Sequence, residues 1–173
     1  MSIPADLWDD DWRATLPWGT REDVSAIREV TDIQERCIEY LGCEILAADV
    51  ELFQITGGPI IVTEFVGIVT ENIQGLATTT KLIVDVATPD QDVDLSTAVD
   101  LDGRAAGTSI TFTDATPGVL TPTTNGAVDG VVQNRWLCPI GKITVEFSAD
   151  RDGEINWYMV YKPLSVSTKV AVL

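Results

Sequence analysis

The chain has 173 residues, 45% of them apolar, enough for one hydrophobic core and a small appendage, since domains commonly run to about 100–150 residues. Its 27 acidic against 11 basic residues give a formal charge of −16, which argues against a nucleic-acid backbone or an anionic membrane surface as partner. Histidine is absent, which removes Ser-His and Cys-His nucleophiles, the usual proton shuttle near neutral pH and the commonest transition-metal ligand, and leaves carboxylate-only glycoside hydrolysis as the enzymatic class still open.

The chain begins "MSIPADLWDDDWRATLPW", with neither a basic n-region nor an apolar h-region. No later apolar run approaches the ~20 residues that span a bilayer, so a soluble protein without an export signal is expected. Within residues 1–19, Trp8, Trp12 and Trp18 stand among Asp6, Asp9, Asp10 and Asp11, while Pro4, Pro17 and Gly19 interrupt any long element. Exposing three indoles gains a small domain little, and tryptophan is a favoured interface anchor, so the segment is expected to be a docking arm. The alternative is a lead-in packed on its own domain.

Residues 20–46 follow as an amphipathic helix and linker. From Thr20 to Gly42 there is no internal Pro or Gly, and Val24, Ile27, Val30, Ile33, Cys37, Ile38, Tyr40 and Leu41 recur at helical spacing. Thr20 with Asp23 reads as a capping-box variant and Gly42 as a C′ stop. A heptad phase through Val24, Ile27, Thr31, Gln34, Ile38 and Leu41 makes the stretch a short coiled-coil candidate, with Val24, Ile27, Ile38 and Leu41 at the expected oligomer interface. The same stripe is wide enough for the helix to lie on a neighbouring β domain instead.

After Ala47 the period changes to two. "LFQITGGPIIVTEFVGIVT" places Gly57-Gly58-Pro59 between two apolar runs. It is neither GxGxxG nor a P-loop, because no lysine follows in place and the next residues are strand-like; a hairpin corner is expected, with Gly supplying the turn angles. "TKLIVDV", "GTSITFT", "KITVEFS" and "EINWYMVYK" alternate as half-buried strands, with Ile155, Trp157, Met159 and Tyr161 on one side of the last. "ADRDGE" predicts a hairpin turn between the final two. Further turns are signalled at Thr116-Pro117-Gly118, Asn125-Gly126 and Pro139-Ile140-Gly141, and "VSTKVAVL" supplies a last strand.

Eight or nine strands without crossover helices predict a mainly β fold: an antiparallel β-sandwich over residues 47–173, jelly-roll-like, with one N-terminal amphipathic α-helix preceded by an irregular arm. Asp90, Asp92, Asp94, Asp100 and Asp102 lie in a loop-like stretch whose spacing fails the EF-hand pattern, so a solvated acidic loop is expected rather than a calcium site. Cys37, Cys43 and Cys138 have no metal-ligand spacing and are expected to be buried thiols in a reducing compartment. No catalytic, cofactor-binding or metal residue is assigned.

The blocks "LFQITGGPIIVTEFVGIVT", "AVDLDGRAAGTSITF" and "CPIGKITVEFSADRDGEINWYMVYKPL", in that order over residues 50 to 165, resemble a family of small β-rich proteins encoded near capsid genes of tailed bacteriophages. The resemblance implies a non-enzymatic virion structural protein, a capsid decoration or head-fibre subunit, made in the host cytoplasm. It implies a homotrimer whose partners are itself and the major capsid protein or another virion protein; the charge and the lack of cofactor motifs lead to the expectation of no nucleic acid, membrane or cofactor. The arm and helix lie outside the matched blocks. A tail-associated glycan-binding module, using Trp136 and Tyr158, is the rival expectation.

Overall fold

The computed structural model describes residues 34–113, 118–123 and 135–173. The chain divides between Gln34 and Glu35, and the second unit, Glu35–Leu173, is compact. The second holds thirteen strands among the described residues: β1 (Arg36–Ile45), β2 (Asp49–Thr56), β3 (Ile60–Glu71), β4 (Thr79–Ala87), β5 (Asp90–Asp94), β6 (Ser96–Thr97), β7 (Val99–Asp100), β8 (Ser109–Thr113), β9 (Gly118–Thr123), β10 (Trp136–Cys138), β11 (Gly141–Phe147), β12 (Arg151–Pro163) and β13 (Lys169–Val172). They form two sheets. The first runs β1-β12-β3-β8-β9-β6 with β10 also on β3, and the second runs β13-β2-β11-β4-β5 with β7 also on β4. All ladders are antiparallel except the two-residue pairing of β6 with β9.

The main ladders are nested. β4 pairs with β5, β3 with β8, β2 with β11 and β1 with β12, so that each step outward along the chain falls in the other sheet. Alternation places the inner rows as the sequence predicts. Leu82 and Val84 of β4, Ile143 and Val145 of β11, and Ile155, Trp157 and Met159 of β12 are all buried. The rows of both sheets meet in one core, where Phe65 lies edge-on to Phe53 at 6.1 Å and tilted against Trp157 at 5.5 Å between ring centroids. Gly67 sits directly opposite Trp157. A Cβ there would lie 2.7 Å from Cζ3 of the indole, so the glycine in mid-strand makes room for the largest core side chain.

Several expectations are corrected. The part of the predicted helix from Arg36 to Gly42 is strand β1, and Thr20 to Ile33 lies outside the described residues. The stretch satisfies both periods: Ile38 and Tyr40 alternate towards the core, and the ladder to β12 decides for the strand. Gly42 does take a positive φ of 70°, but at a bulge within β1 rather than a helix end. The β fold therefore starts ahead of residue 47.

Two expected hairpins are instead passages between sheets. The strands flanking Gly57-Gly58-Pro59, β2 and β3, lie in different sheets, and so do β11 and β12 on either side of "ADRDGE". Turn residues mark where the chain reverses and carry no information on which sheet it enters. The aspartate stretch is also not a loop throughout, since β5 and β7 lie within it. Of the three thiols Cys43 and Cys138 are buried, but Cys37 is exposed on β1.

Candidate functional site

Trp8, Trp12 and Trp18 of the expected arm, and Val24 and Ile27 of the expected interface, lie outside the described residues. Ile38 and Leu41 are described, and β1 separates them. Ile38 is partly buried against the core and Leu41 is 57% exposed, so the helical seam that joined them is not formed. Trp136 is half-buried and packs on the core from β10, whereas Tyr158 stands on the outer side of β12 between Glu39 and Val66.

The glycine corner is filled by the chain itself. Gly57 has φ 75°, and a Cβ on it would lie 2.1 Å from the carbonyl oxygen of Ser167; one on Gly58 would lie 2.5 Å from Oγ1 of Thr168. Ser167 Oγ donates to the Gly57 carbonyl at 2.7 Å, and the Leu164 amide donates to the Pro59 carbonyl at 3.1 Å. The turn 165–168 is tied internally by the Thr168 amide on the Ser165 carbonyl at 3.1 Å. The two glycines thus cradle a backbone turn of their own chain, which occupies the place a ligand would need. No short-range signal identifies this partner, because it lies 110 residues away in sequence.

At the opposite end of the domain is a cavity of about 650 Å³ lined by Glu44, Glu71, Asp150, Arg151, Asp152 and Glu154, among others. Glu44, Glu154 and Glu71 are direct neighbours across β1, β12 and β3, and like charges placed opposite one another destabilise a sheet. Arg151, the cation among these described lining residues, is committed to backbone carbonyls rather than to the carboxylates. Arg151 donates from Nη2 to the Ala77 carbonyl at 2.7 Å, from Nη1 to Asp150 O at 2.5 Å and from Nε to the Leu76 carbonyl at 3.3 Å. Three of the carboxylates are structural: Asp150 accepts from the Ala47 amide, Asp152 from the Gln74 side chain, and Glu154 from Thr70 Oγ1 at 3.1 Å.

A second acidic surface is the outer face of β2, β11, β4 and β5, where Asp49, Glu51, Asp85, Asp90 and Asp92 rim a hollow of about 320 Å³ floored by Ile83 and Thr144. Lys81 bridges Asp94 at 3.2 Å and Glu146 at 3.1 Å, and Lys142 bridges Glu51 at 2.5 Å. The hydrogen bonds they donate to those carboxylates hold both ammonium groups above their ordinary pKa. Such exposed pairs add little stability. Their effect is to leave the face negative but not uniformly so. Both acidic surfaces attract cations, yet among the described residues no group of three or more His, Cys, Asp or Glu side chains is placed to hold a metal ion.

The buried thiols are chemically quiet. Burial pushes Cys138 up to about 12. It does the same to Cys43, reinforced by Glu154 and Glu44 and opposed by the Trp157 indole. Thiols held in the protonated form are poor nucleophiles. No protein family, curated protein or solved structure matches the chain.

Proposed function

We propose that this chain is a structural rather than catalytic protein: a virion subunit of a tailed bacteriophage, of the capsid decoration or head-fibre kind, attached through its N-terminal residues. The observation that carries the reading is the nested strand order. β1-β12-β3-β8 facing β2-β11-β4-β5 is the order of one long hairpin rolled so that successive rungs alternate between sheets, which supports a jelly roll. Jelly rolls serve in capsid and lectin domains, and a fold shared by several functions supports a class of role by analogy. The resemblance of the three sequence blocks supplies the rest, including a trimeric assembly. The corner that offered a ready ligand loop is closed by Ser167 and Thr168, which favours a scaffold over a binding loop at that place.

The test uses the full chain, tagged and expressed in the cell that carries its gene. Phage particles are then purified through a density gradient and probed for the tag. Co-sedimentation with heads is expected, with release on replacing Trp8, Trp12 and Trp18 together by alanine. Tagged protein that stays in the soluble fraction contradicts the reading. Binding of the same protein to a bacterial glycan array, without head association, would favour the tail-module alternative.

A further inference from the structure

Each sheet edge is a row of unpaired amides and carbonyls ready to accept another strand, and most edges of this domain carry a device against that. β1 is broken by the bulge at Gly42, β6 is two residues long, and β5 carries Asp90, Asp92 and Asp94. β13 is different. No strand among the described residues pairs with its outer side, and its sequence is Lys169-Val170-Ala171-Val172.

Three observations specify what fits there. The Leu173 amide donates to the Leu52 carbonyl at 3.2 Å. By strand alternation residues 169, 171 and 173 turn their backbone groups to β2, and Val170 and Val172 turn theirs outward. Second, Val172 lies opposite Phe53 on the core side of the sheet, yet is 48% exposed where Phe53 is 0% exposed, so the core is open at this edge. Third, in a chain of formal charge −16, β13 carries no acid and one cation, Lys169, so self-pairing along it brings no carboxylates of the strand together.

We propose that β13 pairs with β13 of a second copy, antiparallel across a two-fold axis at Ala171, so that the second sheet continues from one copy into the other. In that register Val170 exchanges both backbone bonds with Val172 of the partner subunit, Ala171 faces its own equivalent, and Lys169 faces Leu173 of the partner subunit. No like charges meet. The same operation on β5 would set Asp92 against itself and Asp90 against Asp94, so self-pairing is permitted at one edge of the sheet and opposed at the other. The four valines brought together close the open side of the core. A two-fold contact of this kind is isologous and is separate from the three-fold assembly proposed above; the two combine in a closed hexamer.

The test is a cross-link on the full chain. In a Cys37→Ser background, which removes the exposed native thiol, Ala171→Cys is oxidised mildly and run on a non-reducing gel. The expected Cα separation of about 4.5 Å for a non-hydrogen-bonded pair suits a disulfide, so a covalent dimer is expected, while Asp92→Cys in the same background stays monomeric on the gel. Adding Val172→Pro, which removes an outward amide, or Val172→Lys, which is tolerated by an exposed side chain, abolishes the dimer band and halves the mass seen by light scattering. Ala171→Cys that remains unlinked, or Asp92→Cys that links equally well, overturns the proposal.

Discussion

The two ends of the β domain are closed by different means. At one, Gly57 and Gly58 receive the turn 165–168 so closely that a Cβ would meet backbone or side-chain oxygen. At the other, Gln74, Ala47 and the carbonyls of Leu76 and Ala77 are held by the side chains of Asp152, Asp150 and Arg151. Backbone and short Ser and Thr side chains close the first end with no charged group, whereas the carboxylates and guanidinium at the other respond to charge and salt. One end is therefore fixed by shape and the other tuned by electrostatics.

The largest effect expected is at the glycine end. Gly57→Val forces a β-branched residue into positive φ against the Ser167 carbonyl and should cost roughly 3–5 kcal/mol in urea unfolding, with assembly lost and no ligand affinity removed. Wild-type stability for this variant would erase the distinction between the ends. A strong effect is also expected from alkali. Cys138, near the glycine corner, and Cys43, near the acidic end, are both raised from 9.0 to about 12. The folded protein keeps protons that the unfolded chain releases, so these thiols leave stability unchanged well below pH 9 and lower it as pH rises from there towards 12. Replacing either thiol by alanine should flatten that slope. Salt should reduce the share due to Cys43, whose shift includes Glu154 and Glu44, and leave that of Cys138 unchanged, which unfolding curves at two salt concentrations would show.

In the shared core between the ends, Gly67→Ala should cost about 1–3 kcal/mol by pressing on Trp157, with a matching change in indole fluorescence. The smallest effect belongs to the acidic end. Glu154→Gln keeps an acceptor for Thr70 while removing the central charge of the Glu44-Glu154-Glu71 row, and should stabilise the domain by less than about 1 kcal/mol, a gain that vanishes in high salt.

How much of this was legible in the sequence depended on range. Alternation at 80–86, 142–148 and 154–162 placed the inner rows correctly, because burial of one sheet face writes itself into every second residue. Gly57, Gly58 and Gly42 were recognisable as positions of unusual backbone, and Gly57 and Gly42 do take positive φ. What each glycine accommodates was not legible. Ser167 is far along the chain, and a turn motif is the same whether the next strand joins its neighbour or crosses to the facing sheet. Residues 36–42 show the other limit, since Ile38, Tyr40 and Leu41 fit a helix and a strand alike until β12 supplies the partner. The expected docking arm lies outside the described residues, and the carboxylate row across three strands needed the register to be seen.

Native-state hydrogen exchange on the full chain tests the contrast between the ends most directly. The Leu164 amide, bonded to the Pro59 carbonyl, should exchange only on global unfolding, together with the amide of buried Met159, whereas the Ala47 amide, held by the Asp150 carboxylate, should exchange by local opening. If Leu164 exchanged freely while Ala47 was protected to the global limit, the glycine corner would not be the fixed end of the fold.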